Sequence, residues 1–262
     1  MPWPPPCALR SRAPRSGREN SVTTGGGVAF DGEAVVVTGV GRLGQVGETV
    51  ARAFARSGAA VHCVGRDAAV LDRVAELRAA GHVAEAHRVD LTAFDEVRAL
   101  GERIATAHGG RIAAVAAIAG GFAVSGPLAQ SDPAVYANQI AINLTTAYAT
   151  ARAFLPGVRA ARGAFVFVSS ANTMPAGRVA GIAAYAMAKG AVIQLVRALA
   201  QEERDTGVRA NAIAPASIRT ATNEAAMGTT MRYVEREEVA ATVLALCGPG
   251  FTRVSGQVIE LA

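Results

Sequence analysis

Lysine is nearly missing from this chain: 25 of its 26 basic residues are arginine, and the single lysine is Lys189. Arginine replaces lysine at most exposed positions, so a retained lysine marks a site that needs a compact ammonium rather than a planar guanidinium. Cysteine is scarce as well. Cys7, Cys63 and Cys247 are odd in number, widely spaced and without a CxxC, which excludes a disulfide framework or a cysteine zinc motif. His62, His82, His87 and His108 show no ligand spacing, so no metal is expected, and a reducing cytoplasmic setting follows. No stretch approaches the roughly 20 apolar residues of a membrane span. The most apolar run, 113–124, is short and interrupted by glycine; it reads as a buried strand leaving into a loop. Dense basic runs are lacking too. Of the net charge of +5, +3 comes from Arg10, Arg12, Arg15 and Arg18 against Glu19, and the remainder is nearly balanced, which argues against nucleic acid.

What is present is a soluble, core-forming composition: 51% hydrophobic and 18% charged residues, rich in Ala, Val and Gly. Residues 1–30 hold Pro, Arg, Ser and Gly without a hydrophobic period and read as a disordered tail. From residue 31 onward, short β-branched runs (33–38, 60–64, 83–89, 112–118, 164–169, 208–213, 257–261) alternate with helical stretches. The stretches are 47–57, 68–80, 93–107, a long one over 132–161, 183–206 and 236–246. Such alternation predicts an α/β fold: one Rossmann-type, doubly wound parallel sheet of about seven strands with helices on both faces, filling a single domain, 31–262.

Three features carry chemistry. The first strand runs into Thr38-Gly39-Val40-Gly41-Arg42-Leu43-Gly44-Gln45-Val46-Gly47, a glycine-rich strand-to-helix turn. Such a turn brings backbone N–H groups and a helix N-terminus to a pyrophosphate, making Gly39, Gly41, Gly44 and Gly47 candidate dinucleotide contacts. After strand two, where an acid commonly holds the adenosine ribose, the chain has Gly65-Arg66. Arg66 and Arg42 are expected to meet a 2′-phosphate, favouring NADP(H) over NAD(H); Asp67, one residue on, is the competing acid. Finally, Tyr185 and Lys189 are four residues apart in a helical stretch, on one face. An ammonium beside a phenol is expected to ease its deprotonation, as a general acid or base requires.

These residues resemble the short-chain dehydrogenase/reductase family over residues 33–262, and further matches follow in order. Asp90-Leu91 resembles the pair that contacts adenine, Ala119-Gly120 the small floor after strand four, and Asn143 the asparagine whose carbonyl helps hold a proton-relay water. Ser170 ends strand five, at the place of the family's catalytic serine. The segment from Asn211 to Thr220, with Pro215, Ile218 and Thr220, resembles the one that closes over the nicotinamide. The resemblance implies a catalytic set of Asn143, Ser170, Tyr185 and Lys189. Tyr185 exchanges a proton with a carbonyl or alcohol oxygen, Ser170 donates to that oxygen, and Lys189 supplies charge and holds the nicotinamide ribose. It also implies a small-molecule carbonyl or alcohol substrate and a homo-oligomer, dimer or tetramer, packed through the fourth and fifth long helices.

Departures from the family pattern are visible. The glycine loop is about two residues longer, with Gln45 in place of a glycine, and Ala117-Ile118 stand where side-chain amides are usual. Ser170 precedes Tyr185 by fifteen positions rather than thirteen, which makes Asn172 a rival for its role. The Ala-Gly-Gly-aromatic turn, the fifteen spacing and Thr220…Asn223 are similar to dihydropteridine reductases, implying a pterin-like or quinonoid ring as the alternative substrate; non-redox catalysis is a further one. The lid region, 221–234, is short, suggesting an open cleft that accepts a bulky or carrier-tethered substrate, with Met227 and Met231 against it.

Overall fold

The protein was analysed as a computed structural model, which describes residues 29–262. Most of the tail reading, 1–28, lies outside the described residues. Phe30, placed at the end of that tail by composition, belongs to the folded body: it is buried and packs edge-on against Phe54 at 5.2 Å.

Seven parallel strands form one sheet in the order β3-β2-β1-β4-β5-β6-β7. They are β1 (Ala34–Thr38), β2 (Ala60–Gly65), β3 (Ala84–Arg88), β4 (Ala114–Ala117), β5 (Ala164–Val168), β6 (Arg209–Pro215) and β7 (Val258–Leu261). Every residue of β1, β2, β4 and β6 is buried, because helices cover both faces of a parallel sheet and no side of these strands meets water. On one face α1 (Val46–Arg56), α2 (Ala69–Ala79) and α8 (Arg236–Cys247) pack through Val50, Phe54, Val74 and Val243. On the other, α3 (Phe94–Ala107), α5 (Thr146–Ala161) and α6 (Ala183–Glu202) pack through Leu100, Phe154, Val196 and the strand residues Phe165 and Phe167. Among the described residues no helix is long and apolar enough to cross a membrane.

Two elements differ from expectation. The long helix over 132–161 is broken into α4 (Pro133–Gln139), a π-helical turn (Ile140–Thr145) and α5. The Asp132 side chain caps α4 by accepting from Ala134 N, and Pro133 suits its first turn, so the start is locally encoded. The π turn is not, and its cause lies in the site below. The lid region also carries a short helix, α7 (Ala221–Met227), capped by the Thr220 hydroxyl, which accepts from Asn223 N.

The strand order reverses between β1, which leads toward β2 and β3, and β4, which leads toward β7. The crevice at the C-terminal ends of the strands, at this switch point, is where ligands bind in such sheets.

Candidate active site

The crevice holds a cleft of about 430 Å³ lined by the loop after β1 (Gly39, Gly41), the end of β2 (Gly65, Arg66, Asp67), the segment after β3 (Asp90, Leu91) and the floor after β4 (Ala119, Gly120). Backbone packs on backbone here. A Cβ on Gly39 would lie 2.7 Å from Ala119 N, and one on Gly47 would lie 2.2 Å from Gly39 O. The Ala119 N–H donates to Thr38 Oγ1 at 3.2 Å, which joins the two loops across the switch point. Gly41 faces open space, and Gln45, the N-cap of α1, makes no side-chain capping bond, so first-turn N–H groups of α1 are left for a ligand. A dinucleotide fits this cradle. Asp90, on the cleft wall, accepts from Thr92 N and Oγ1, bonds that lower its pKa and fix the turn.

A second cleft, about 440 Å³, opens beside the first and is lined by Ser170, Asn172, Tyr185, Pro215, Ile218 and Phe122, with Met227 and Met231 from the lid region. Ser170 caps the turn after β5, its hydroxyl accepting from Asn172 N at 3.3 Å, and is buried. Burial raises the Tyr185 pKa, and the neighbouring Ser170 hydroxyl opposes that rise. Phe122 stands edge-on to the phenol, centroids 5.0 Å apart.

Lys189 lies beneath both clefts, one turn along α6 from Tyr185. Its ammonium is buried, donates to Val168 O at 2.9 Å and sits 6.0 Å from the Tyr185 ring centroid. Burial pulls its pKa down to about 8. The expected easing of Tyr185 deprotonation is therefore not what the protein alone shows: the phenol is shifted upward by burial, and the ammonium is turned to a strand carbonyl. Ser169 ties the same corner together, its hydroxyl donating to Lys189 O at 2.9 Å.

Asn143 accounts for the π turn. Its amide nitrogen donates to Gly121 O at 2.9 Å and Gln139 O at 3.1 Å, while its Oδ1 accepts from Gly121 N at 3.1 Å. The side chain thus clamps both backbone groups of Gly121 and takes a carbonyl from the preceding turn, at the place where the helix widens. Gly120 next to it has no room for a side chain, since a Cβ would lie 2.6 Å from Asn143 Oδ1 and 3.0 Å from Lys189 Nζ.

The structure brings Asn143, Ser170, Tyr185 and Lys189 to one corner, with Gly39, Gly41, Arg66, Asp90, Leu91, Ala119 and Gly120 along the adjoining cleft. Two expected cofactor contacts fall elsewhere. Arg42 is exposed and does not line the cleft, because the lengthened loop carries it outward. Gly44 lies against α8, its carbonyl accepting from Arg236 Nη1 at 2.6 Å. The Thr220 hydroxyl caps α7 by accepting from Asn223 N and keeps its own hydrogen to donate. Gly47 acts through packing, and Pro215 and Ile218 line the second cleft. Sequence reasoning gave no role to Gln139, Gly121 or Ser169, which position the set, although the Gly-Gly-Phe turn and the Ser169-Ser170 pair were visible.

Comparison with known proteins agrees with this geometry. The family model described as enoyl-(acyl carrier protein) reductase matches residues 39–261. Galactitol 2-dehydrogenase (L-tagatose-forming) of Cereibacter sphaeroides is 33% identical over 88% of this chain and 94% of its own. Cis-4-hydroxycyclohexanecarboxylate dehydrogenase of Sinomonas cyclohexanicum is 38% identical over 72% of this chain and 74% of its own. A Beutenbergia cavernae structure with bound NADP, provisionally assigned as an NAD(P)-dependent gluconate 5-dehydrogenase, superposes with a TM-score of 0.80 at 28% identity, covering 90% of this chain and 97% of that one. With its seven-stranded parallel sheet, dinucleotide crevice and Tyr185–Lys189 helix, the chain belongs to the short-chain dehydrogenase/reductase superfamily of oxidoreductases.

Proposed function

We propose that this protein is an NADPH-dependent reductase that interconverts a carbonyl and an alcohol, with Tyr185 as the proton donor. The observation that carries the proposal is the convergence of the Ser170 hydroxyl on the Tyr185 phenol at a cleft adjoining the dinucleotide crevice, with the Lys189 ammonium beneath. The bound dinucleotide would supply the hydride. Ser170 donates to the substrate oxygen, Tyr185 delivers the proton, and Lys189 holds positive charge below the phenol while its two remaining hydrogens are free for a ribose. Asn143 holds the Gly120–Gly121 floor and so sets the height of the site. Arg66 at the ribose end, with Gly65 where an acid would reject a phosphate, supports NADPH over NADH. Cytoplasmic location and a homo-oligomer belong to the same proposal.

The substrate cleft favours a carbonyl flanked by apolar groups. Phe122, Ile218, Met227 and Met231 line it, while the Asn223 amide donates to Ile218 O and the Ser217 hydroxyl faces Met227 Sδ. Polar side chains for further substrate hydroxyls, Asn172 and Ser217, are fewer on that wall than apolar ones. The test is NADPH oxidation by the full chain with cyclic ketones and with sugar-derived ketoses, repeated with NADH. Faster turnover of cyclic ketones with NADPH supports the reading; turnover of ketoses alone, or with NADH alone, rejects it. A second reading, reduction of a pterin-like ring, is favoured by Phe122 edge-on to Tyr185 and is tested by including a quinonoid dihydropterin in the panel.

A further inference from the structure

Outside this site, three of the four histidines meet at the β2–β3 edge of the sheet. His62 on β2 and Glu85 and His87 on β3 project from the same face, His62 paired in register with Glu85 and His87 two residues beyond. His108, the residue that ends α3, reaches the same place from the helix layer. His62 Nδ1 is 3.0 Å from His87 Nε2 and 3.6 Å from Glu85 Oε2, and His62 Nε2 is 2.8 Å from His108 Nε2.

We propose that His62 Nδ1, His87 Nε2 and the Glu85 carboxylate form a binding site for one divalent transition cation of the zinc class, with His108 as a positioning residue. Bonds of about 2.0–2.1 Å around a tetrahedral zinc put neighbouring donor atoms ~3.3 Å apart. The two spacings, 3.0 and 3.6 Å, bracket that value, and all three donors lie within 4.8 Å of one another. Two imidazoles with one carboxylate suit zinc, nickel or cobalt rather than calcium or magnesium. The second nitrogen of His62 is already partnered: with Nδ1 turned to the metal, Nε2–H donates to His108 Nε2, the outer hydrogen bond that fixes a ligand's tautomer. Taking the metal on Nδ1 asks of His62 only the tautomer that carries its hydrogen on Nε2. Glu85, with its side chain 57% exposed, supplies the way in, and Arg103 sets an opposing charge on His87. A bound ion would pin edge strand β3 to β2, and the adenine wall at Asp90 and Leu91 begins just past that strand.

The test uses untagged full-length protein stripped with chelator and titrated with Co²⁺ followed by Zn²⁺. One equivalent of Co²⁺ with the visible absorption of a low-symmetry site, displaced by Zn²⁺, is expected. Glu85→Gln and His87→Gln should each weaken binding at least about tenfold, and His108→Phe by about ten- to a hundredfold. Arg103→Ala should tighten it, and His82→Ala, altering the fourth histidine, should leave it unchanged. Glu85 is exposed, so its variant tests the site without disturbing the core. No stoichiometric Co²⁺ binding would overturn the proposal, leaving a histidine hydrogen-bond chain only. Binding that survives both Glu85→Gln and His87→Gln would do the same.

Discussion

Replacing Lys189 with methionine should make the protein more stable while removing its chemistry. The ammonium is buried, and burial lowers its pKa from 10.5 to about 8. At about 1.4 kcal/mol per unit, holding that charge costs the folded state ~3 kcal/mol at neutral pH. Methionine of similar length removes the charge but leaves Val168 O without its donor, which costs back about 1 kcal/mol. The net gain is about 2 kcal/mol, or a rise in Tm of about 4–8 °C for a chain of this size. The sign with pH is equally definite. Below pH 8 lysine is protonated in both states and the cost is at its full value. Between about 8 and 10.5 the unfolded chain binds more protons than the folded one, so wild-type stability rises through that window and the advantage of methionine shrinks. Urea unfolding of both proteins at pH 7 and pH 10, without cofactor, measures this. A Lys189→Met variant less stable than wild type at pH 7, or a difference that does not change with pH, would refute the reasoning.

Lys189→Arg keeps the charge but should lose activity, because the guanidinium must enter a space bounded by Val168 O and the Gly120 floor; steady-state kinetics with dinucleotide affinity measured in parallel checks it. Gly120→Ala should lower kcat by about tenfold or more with the fold intact by circular dichroism, since its Cβ meets Asn143 Oδ1 at 2.6 Å and Lys189 Nζ at 3.0 Å. Arg66→Ala should weaken NADPH binding by about tenfold or more, the worth of a hydrogen bond to a charged group, and leave NADH nearly unchanged. Arg42→Ala should change neither appreciably, because Arg42 does not line the cleft; equal losses of both cofactors in Arg66→Ala would remove the argument for a 2′-phosphate.

The sheet was legible in the sequence because parallel strands buried on both faces read as short Val- and Ala-rich runs, and all seven fell within a residue or two of their places. The catalytic corner was legible for another reason: Tyr185 and Lys189 share one helix, so their relation is set by 3.6-residue periodicity. What stayed hidden depends on contacts between distant segments. The π turn at Ile140–Thr145 contains ordinary helical residues and arises from Asn143 reaching Gly121, 22 positions away. The outward path of Arg42 follows from loop length, which a motif does not encode. The histidine cluster joins β2, β3 and the end of α3 across 25 and 46 residues, so no ligand spacing announced it. The direction of the Tyr185 shift was misjudged because helical spacing locates the ammonium but says nothing of burial, the larger effect.

The central claim is that Tyr185 donates the proton at a site whose dinucleotide cradle is independent of it. Measuring ketone-dependent NADPH oxidation and NADPH affinity together in Tyr185→Phe tests it most directly. Turnover should fall by about a hundredfold to ten-thousandfold with affinity essentially unchanged. Wild-type turnover in that variant would contradict the account.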